Sequence, residues 1–505
     1  MDQLAQFASS FISYAVILFV FMVGLLVFGA AALYIYDRNQ KASTIMRNYP
    51  VIGRFRFLFE HLGEFFRQYF FSMDREEMPF NRAQRSWVYR AAKNIDSTVP
   101  FGSTRDLRPE GTVMFVNSPF PPLTEESLPP KPITLGEGYC QNPYTSASIV
   151  NISGMSFGAI SKPAVLALSY GAKKVGCWMN TGEGGLSQYH EEGGADIVFQ
   201  MGTGKFGVRD PNGGLSEDKL RNIAAKECVK MFEIKLSQGA KPGKGGMLPG
   251  EKVTAEIAEI RGLQVGESAI SPNRHAELNN NGDLLDMIVK VREITQKPVG
   301  FKAVISDPTW LDELFTLIKH RGLDSAPDFI TVDSCDGGTG AAPMSLMDDM
   351  GLPVKQSLPM LIDKLHEYGL RDRIKVNASG KMINPTEVAW ALCIGTDFVS
   401  TARGAMFALG CIQALQCNKN TCPTGITTHD KDLQKGLVVS NKQQRVASYL
   451  KNLEKELRVM ANSCGVKRPR ELTRLHARVV VERGKSVTLE ELYPSGASKQ
   501  SAPVL

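Results

Sequence analysis

The sequence predicts an α/β fold in which a (β/α)8 barrel follows one N-terminal transmembrane helix. Three observations predict it: eight short apolar runs each end in a Gly-rich polar loop, helix-like stretches separate several of these runs, and residues 3–36 carry no charged side chain. At 505 residues, with 43% hydrophobic and 22% charged content, the chain is long enough to bury the core of such a barrel.

The first element is the apolar segment near the N-terminus. At 1.5 Å per residue, its stretch 15–36 is enough to cross a bilayer. A cleaved signal peptide is the alternative, but the start Met-Asp-Gln has no basic region and the apolar run is too long. Basic residues follow the segment and only Asp2 precedes it, which predicts a single-pass membrane protein with the remainder on the cytoplasmic side. We assign residues 1–37 to a transmembrane anchor.

We assign residues 38–135 to an amphipathic and irregular N-terminal region. The stretch 51–72 interleaves Phe side chains with Arg54, Arg56 and Arg67. Two interpretations stay open for it, a helix in the membrane interface and an amphipathic helix packed on the following domain. Residues 73–135 are rich in Pro and Arg and are predicted to be an irregular connection.

Eight predicted strands define the next domain, residues 136–430. They are SIVNIS, GCWMN, DIVFQ, MFEIK, VGFKAVI, FITVDS, IKVNA and DFVST. Helix-like stretches lie at residues 162–175, 283–297, 312–322, 356–369 and 385–395. This alternation predicts parallel strands with right-handed crossovers, and eight of them fit a TIM-type barrel. A doubly wound sheet is the alternative, but the count of eight and the even placement of polar loops favour the barrel. Residues 431–505 are predicted to be a helical extension.

The loops after barrel strands build the active site in such a fold. Here they carry many glycines together with Ser156, Glu183, Lys205, Lys235, Gln238, Lys241, Lys244, Lys302, Asp336 and Arg403. The loops after strands seven and eight, residues 378–381 and 401–404, predict a phosphate site, since small residues expose backbone N–H groups and Arg403 supplies charge. A helix starting near Pro385 adds its dipole in this interpretation. Ordinary strand-to-helix turns are the alternative.

Two other motifs and one class of ligand are excluded. The G-x-G-x-x-G run at 202–207 is followed by VRDPNGG, where a dinucleotide site needs a helix. The run at 239–245 has phosphate-loop composition without its spacing, and Pro242 interrupts the backbone amides. A net charge of +6 spread over 58 basic and 52 acidic residues indicates no nucleic-acid partner.

Nine cysteines, an odd and scattered set, indicate a reducing compartment. Three of them, Cys411, Cys417 and Cys422, have the spacing C-x5-C-x4-C. Gathered thiolates suit an iron–sulfur cluster or zinc, and three without an evident fourth ligand suit a three-iron cluster better. Buried, reduced cysteines are the alternative.

Six separated motifs occur in order over residues 136–470: SGMSFGAIS, NTGEGG, GTGKFGV, EIKLSQGAKPGKGG, DGGTGAAP and GCIQALQCNKNTCPTGI. With them the sequence resembles the FMN-binding synthase domain of glutamate synthase. The resemblance implies a barrel with FMN and a 3Fe-4S cluster, in which reduced flavin converts the imine of 2-oxoglutarate and ammonia into glutamate.

The resemblance also implies roles for individual residues. Substrate-site roles fall on Glu183, Lys235, Gln238 and Lys241. Flavin contacts fall on Met155, Ser156, Lys235, Lys302, Asp336, Gly337, Gly338, Ser379, Gly380, Ala402 and Arg403. The cluster ligands are Cys411, Cys417 and Cys422. Glu183 exchanges protons if burial raises its pKa, and a carboxylate paired with a neighbouring lysine is the alternative.

Departures from the family pattern limit what the resemblance implies. Glutamate synthases begin with a glutaminase domain whose nucleophile is an N-terminal cysteine, whereas this chain begins Met1-Asp2, so we expect ammonia from a separate glutaminase or from solution. Arg403 replaces an expected small hydroxyl residue. Electrons are expected from ferredoxin or a partner flavoprotein. Two alternatives stay open: a related N-methylglutamate synthase-like flavoenzyme, and a membrane-tethered flavin and iron–sulfur electron carrier, which would not need a dicarboxylate site at Gln238 and Lys241.

Overall fold

The computed structural model describes residues 2–96 and 98–494. Contacts divide the chain into two units, with the boundary between Ala83 and Gln84. The residues from 84 to 135, which the sequence analysis grouped with the preceding segment, therefore belong to the same unit as the barrel.

The first unit is helical. Its helices are α1 (Asp2–Asn39), α2 (Thr44–Asn48) and α3 (Gly53–Phe66), followed by a π-helical turn at Arg67–Phe71. Among the described residues, α1 alone is long and apolar enough to cross a membrane by length and composition, over Gln6–Asn39. Asp37, fully buried, accepts hydrogen bonds from the Val51 N–H at 3.0 Å and from Arg54 Nε at 3.0 Å. This carboxylate fixes the turn that connects α1 to α3.

The second unit begins with elements that surround the barrel. They are α4 (Arg82–Ala92), β1 (Val113–Phe115), β2 (Ile133–Leu135) and β3 (Tyr144–Ser146). Helix α4 and strand β1 lie inside the segment predicted to be irregular. Each is short, so neither has the length of periodic sequence that marks an element clearly.

Eight parallel strands close into a barrel, which confirms the predicted fold class. In spatial order they are β4 (Val150–Ile152), β5 (Trp178–Asn180), β6 (Asp196–Met201), β7 (Val229–Lys235), β10 (Val299–Ala303), β11 (Phe329–Asp333), β12 (Lys375–Ser379) and β13 (Phe398–Thr401), with β13 pairing back to β4. Every predicted strand overlaps one of them. Strands β8 (Met247–Leu248) and β9 (Ala269–Ile270) form a separate antiparallel pair in the loop after β7.

The helices of this unit follow the strands in the expected alternation. They are α5 (Lys162–Val175), α6 (Gln188–Glu192), α7 (Glu217–Ala224), α8 (Ala255–Arg261), α9 (Asn281–Thr295), α10 (Pro308–Arg321), α11 (Met344–Asp349), α12 (Val354–Glu367), α13 (Pro385–Ile394) and α14 (Arg403–Leu409). The five predicted helices correspond to α5, α9, α10, α12 and α13. Helix α5 shows why: Ser161 caps its N-terminus by accepting from the Ala164 N–H at 3.4 Å, and Gly176 ends it at φ +71°.

The N-terminal end of the barrel is closed by a hydrophobic cluster. The hairpin of β2 and β3 places Leu135 and Tyr144 against Trp178 and Phe398, whose ring centroids are 4.7 Å apart. Tyr144 donates a hydrogen bond from its hydroxyl to Asp196 at 2.8 Å. Because this end is filled, the opposite end of the barrel is left to hold a ligand.

A polar layer lies above this cluster, centred on the buried carboxylate of Glu233. Asn180 and Gln200 donate to its Oε1 at 2.8 and 2.6 Å, and Thr331 donates to Oε2 at 2.6 Å. The cavity between the two layers has a volume of about 10 Å³, enough for one water molecule. The barrel interior is therefore packed, and a larger ligand has to bind in the loops at the strand ends.

The C-terminal extension contains helices and, in addition, a β-hairpin. Its elements are α15 (Lys431–Gln434), α16 (Val439–Ser463), β14 (Ala477–Glu482), β15 (Lys485–Thr488) and α17 (Leu489–Leu492). Helix α16 packs closely on α5, since a β-carbon on Gly171 would lie 2.7 Å from Val446. Strand β14 pairs antiparallel with β1 and with β15. The chain reverses between β14 and β15 at Gly484, whose φ of +84° favours glycine.

Candidate active site

Glu183 stands in the loop after β5, at the C-terminal end of the barrel. Two glycines from other loops give its side chain room: a β-carbon on Gly202 would lie 2.5 Å from the Glu183 β-carbon, and one on Gly246 would lie 2.1 Å from Oε1. Gly202 belongs to the G-x-G-x-x-G run, and the next helix, α7, begins only at Glu217. The run therefore makes room for this carboxylate, a role that the sequence analysis did not predict.

Lys235, the last residue of β7, joins the predicted substrate residues. Its Nζ lies 3.1 Å from Glu183 Oε1 and donates a hydrogen bond to Gln238 Oε1. Lys235 is 8% exposed, so this ion pair is largely shielded from solvent. Three of the four predicted substrate residues are thus in direct contact.

The pairing decides between the two alternatives for Glu183. Burial alone would raise the pKa of its carboxyl group, but the charges of Lys235, Lys241 and Arg261 outweigh burial and hold the pKa below its ordinary value. Glu183 is consequently an ionised, lysine-paired carboxylate, as in the second alternative.

Lys241, the fourth predicted substrate residue, is a buried cation without a protein partner. It is 5% exposed, and within the described part of the chain its ammonium group makes no hydrogen bond or ion pair within 4.0 Å. Burial and the nearby charge of Lys235 lower its pKa to about 8, against the attraction of Glu183. A buried ammonium group of this kind is suited to an anionic ligand.

Arg261, at the end of α8, is a site residue that the sequence analysis missed. It is 4% exposed, and its Nη2 donates to Ser156 Oγ at 3.3 Å and to the Phe157 carbonyl at 3.2 Å. Its Nε is buried and has no hydrogen-bond partner among the residues that the structure describes. Burial lowers its pKa to about 10, with Glu183 acting in the opposite direction. The local sequence AEIAEIRG after Thr254 predicts a short helix ending at this arginine. Nothing in that sequence indicates that the arginine acts on Glu183.

Lys302, at the centre of β10, forms a buried ion pair with Asp333 at the end of β11. The distance from Nζ to Oδ2 is 3.0 Å, and Oδ2 also accepts the Gly239 N–H at 2.9 Å. Burial opposes the charged form of Lys302, but Asp333 and Glu233 outweigh it and raise its pKa. Asp333 was not among the predicted residues. Asp333 neutralises Lys302 and also binds the loop after β7 at Gly239. The ion pair therefore fixes this loop and adds no net charge to the site.

The loops after β11, β12 and β13 meet at the predicted phosphate site. Asp336 is 2.8 Å from Lys381, and Arg403 donates to its carbonyl oxygen at 3.1 Å. Gly338 lies against the Arg403 side chain, and a β-carbon on Gly380, at φ +124°, would fall 2.1 Å from Ser334. Lys381 and Arg403 therefore place two cations beside these glycines.

The remaining predicted flavin residues stand around the same loops. Burial raises the pKa of the Asp336 carboxyl, but Lys381, Ser334 and Arg403 outweigh it, so the pKa is lowered. Gly337 approaches Gly239, Ser379 ends β12, and Ala402 precedes α14. The helix near Pro385 begins as predicted, but its N-terminus is already capped by Asn384, which accepts from the Glu387 N–H at 3.1 Å.

Met155 and Ser156 lie in the loop after β4 and are 8% and 9% exposed. A β-carbon on Gly182, at φ +66°, would come within 2.6 Å of the Ser156 nitrogen. The loops after β4 and β5 are therefore in backbone contact, with Arg261 bound to the first and Glu183 on the second. The loops after β4, β5 and β7 thus form one site, next to the one formed by β11, β12 and β13.

The three predicted cluster cysteines follow α14. All are free thiols, and burial raises the pKa of Cys411 to about 12 and also that of Cys417. For Cys422, hydrogen bonds from Thr424 and Thr427 outweigh burial and lower the pKa. Within residues 2–96 and 98–494, no group of three or more His, Cys, Asp or Glu side chains is positioned to hold a metal ion. The thiols act on one another electrostatically, so they are neighbours without a closed ligand geometry.

Comparison with known proteins adds to this geometry. Residues 127–467 match a family model described as the conserved region in glutamate synthase. A glutamate synthase large subunit-like protein, YerD of Bacillus subtilis, is 41% identical over 500 residues, covering 92% of this chain and 94% of that protein. An archaeal-type glutamate synthase (NADPH) of Thermotoga maritima is 34% identical over 319 residues, 63% of this chain and 59% of its own length. The chain thus spans about three fifths of that relative.

Among solved structures, a mandelate oxidase variant with a bound ligand aligns with a TM-score of 0.45 and 15% sequence identity. The alignment covers 73% of this chain and 88% of that chain. Mandelate oxidase with benzoyl-formic acid aligns similarly, with a TM-score of 0.45 and 15% identity over 79% of this chain and 98% of that one.

Proposed function

The chain belongs to the glutamate synthase family and is an oxidoreductase, and we propose that it reductively aminates 2-oxoglutarate to glutamate with FMN and a 3Fe-4S cluster. The observation that carries this proposal is the charge of the buried site. Lys235, Lys241 and Arg261 surround the single carboxylate Glu183, which leaves an excess of two positive charges. A dicarboxylate such as 2-oxoglutarate brings the two negative charges that balance this excess.

Lys241 and Arg261 bind different parts of the substrate in this proposal. Lys241 binds one substrate carboxylate through its free ammonium group. Arg261 binds the other and uses the Nε–H that has no protein acceptor. An arginine fork suits a carboxylate geometrically. A pure electron carrier has no use for this pair, so the site favours an amination enzyme over the carrier alternative.

Glu183 and Lys235 handle protons in this proposal. Glu183 is ionised and can accept a proton from the nitrogen as ammonia adds to the keto carbon. Lys235, 3.1 Å away, stabilises the carboxylate until the proton arrives and can donate one as water leaves to give the imine. When bound, FMN supplies the hydride that reduces the imine carbon.

FMN fits the loops that the structure brings together. Met155 and Ser156 would lie against the ring, with Lys302 nearby, and Ser379, Gly380, Ala402 and Arg403 would hold the phosphate. The fit rests on the presence of Lys381 and Arg403 at these loops and on small residues that leave the backbone accessible. Asp336, Gly337 and Gly338 would lie beside the flavin between these two sets.

The donor types after α14 suit a 3Fe-4S cluster, which would draw the three thiols into one ligand set. Three free thiols share one loop and act on one another electrostatically, and soft thiolates are the ligands that iron–sulfur clusters use. Electrons would come from ferredoxin or a partner flavoprotein. The relative from Thermotoga maritima carries NADPH in its name, but the G-x-G-x-x-G run of this chain serves Glu183. Ammonia would come from a separate glutaminase or from solution.

Membrane attachment is the last part of the proposal. Helix α1 would span the bilayer once, with the barrel on the cytoplasmic side. Phe55, Phe57 and Phe59 of α3 are 52%, 42% and 67% exposed, and exposed aromatic side chains beside arginines suit a helix that lies in the membrane interface. Arg54, held by Asp37, joins this helix to the end of the span.

The test is a reoxidation experiment on anaerobically purified, detergent-solubilised protein with reduced flavin. Adding 2-oxoglutarate and ammonium together should reoxidise the flavin, whereas either alone, or pyruvate with ammonium, should not. Pyruvate is the matched control because it offers the same keto acid with one carboxylate. Reoxidation that is indifferent to every 2-oxo acid would overturn the proposal, and reoxidation by methylamine in place of ammonium would identify the N-methylglutamate synthase-like alternative.

A further inference from the structure

Lys252 is a fully buried lysine in a short 3-10 turn, Gly250–Lys252. It is 2% exposed. Its Nζ donates to the carbonyl oxygens of Cys417 at 2.7 Å, Thr427 at 2.6 Å and Ala159 at 3.5 Å. All three ammonium hydrogens thus have acceptors, and each acceptor is an uncharged backbone group. The lysine connects the cysteine loop, at Cys417 and at Thr427, to the loop after β4.

The positive charge of Lys252 has no anionic partner in the protein. Across residues 2–96 and 98–494, no carboxylate oxygen lies within 4.0 Å of its Nζ. The ionisable groups that act on its charge are the thiols of Cys417 and Cys422. A buried charge is unfavourable unless it is paired. Its position beside two of the three thiols therefore favours an anion bound to those thiols.

We propose that Lys252 is a positioning residue for the iron–sulfur cluster, holding the cysteine loop against the loop after β4 and stabilising the reduced cluster by its charge. The inference rests on the proposed 3Fe-4S cluster. One-electron reduction by the ferredoxin or flavoprotein donor adds one negative charge to the cluster, with no bond made or broken. A cation fixed beside Cys417 stabilises that added charge and raises the reduction potential.

The surroundings of Lys252 explain why this arrangement is useful. Lys252 lies in the same connection after β7 as Lys241, and Lys235 ends that strand. Ala159 lies three residues after Ser156. The lysine is therefore the contact point of the cluster loop, the substrate loop and the predicted flavin loop.

Two other contacts fasten the same loops independently of Lys252. His429 donates from Nε2 to the Gly158 carbonyl at 2.8 Å, and the Ser161 N–H donates to the Ile426 carbonyl at 2.8 Å. These contacts are retained when the ammonium group is removed. A neutral substitution at Lys252 should consequently change the charge beside the thiols while the loops stay in place.

The test compares Lys252→Met with Lys419→Met in the full-length, anaerobically purified protein. Lys419 is the matched control because it lies between Cys417 and Cys422 in the sequence and is exposed. Iron and acid-labile sulfide are measured first, and the midpoint potential of the cluster is then determined by titration monitored by electron paramagnetic resonance. Lys252→Met should lower the equilibrium constant for one-electron reduction at least tenfold, about 59 mV, and Lys419→Met should leave it within threefold.

The outcomes separate the inference from the proposed cluster. Native protein without iron overturns both. Native protein with a cluster whose potential is the same in Lys252→Met overturns the role of Lys252 alone. If Lys252→Met does not fold, Lys252→Gln, which keeps a hydrogen-bond donor without the charge, carries the same test and should show the same lowered potential.

Discussion

Replacing Lys241 by methionine should weaken substrate binding and at the same time stabilise the free protein. The substitution removes a buried ammonium group without a protein partner and keeps a side chain of similar length. The pKa of Lys241, about 8, lies about 2.5 below the ordinary 10.5. At ~1.36 kcal/mol per pKa unit, burying this charge costs up to about 3 kcal/mol of folding stability.

The pH dependence follows from the sign of that difference. Below pH 8, Lys241 is protonated in the folded and the unfolded chain, and the folded protein bears the whole cost. Between pH 8 and 10.5 the unfolded chain binds more protons, so the stability of the native protein rises with pH across this window. Lys241→Met should therefore exceed native stability at pH 7 by up to about 3 kcal/mol, and the difference should disappear near the upper end of the window.

Substrate affinity should change in the opposite direction. Losing one charge-assisted hydrogen bond costs about 1.5–3 kcal/mol, so the KM for 2-oxoglutarate should rise roughly 10- to 150-fold. In the native enzyme, kcat/KM should also fall above pH 8 as Lys241 loses its proton, and the variant should lack this decrease.

Denaturant midpoints at several pH values and steady-state kinetics measure the two effects. Lys244→Met is the control, since Lys244 is an exposed lysine three residues away, and it should change neither quantity appreciably. A Lys241→Met enzyme with native KM, or one less stable than the native protein at pH 7, would refute the reasoning.

Three further predictions follow from other parts of the chain. Glu183→Gln should reduce turnover roughly 100-fold or more while FMN is retained on gel filtration, and a loss below threefold would contradict a proton-transfer role. Gly380→Ala, whose new β-carbon would fall 2.1 Å from Ser334, should lose FMN on gel filtration, whereas Gly340→Ala, which meets no atom within 4 Å, should retain it. Deleting residues 1–42 should move the protein from the membrane fraction to the soluble fraction, and unchanged sedimentation with membranes would argue against α1 as the anchor.

The barrel could be predicted because its signals are local. Each strand is a short apolar run buried on both faces, and each ends in Gly-rich polar sequence. The helices have start and stop residues within one turn of their ends, as Ser161 and Gly176 show for α5. The hairpin of β14 and β15 was not predicted, because its two strands are short and it is stabilised by pairing with the distant β1.

The site was predictable only where a residue and its strand end are adjacent in the sequence. Glu183, Lys235 and Gln238 satisfy this condition, and the structure brings them into contact. Arg261 and Lys252 do not, since both belong to the long connection after β7, and their partners are set by how that connection folds. Lysine and arginine there look like surface charges in the sequence, and only their burial identifies them.

The ionisation state of Glu183 also could not be predicted from local sequence. Its position at a strand end follows from the sequence, but the sequence leaves open whether burial or a neighbouring cation dominates its pKa. Three cations from β7 and the long connection after it act on its charge, so the sum of their fields, a property of the folded chain, decides the ionised form.

The most direct test of the account is a single-turnover measurement of nitrogen incorporation. Reduced protein is mixed anaerobically with 2-oxoglutarate and 15N-labelled ammonium, and labelled glutamate is quantified against the flavin that becomes oxidised. Because one two-electron reduction converts one imine to one amine, we predict about one labelled glutamate per flavin. Flavin oxidation without labelled glutamate would contradict reductive amination as the reaction of this barrel.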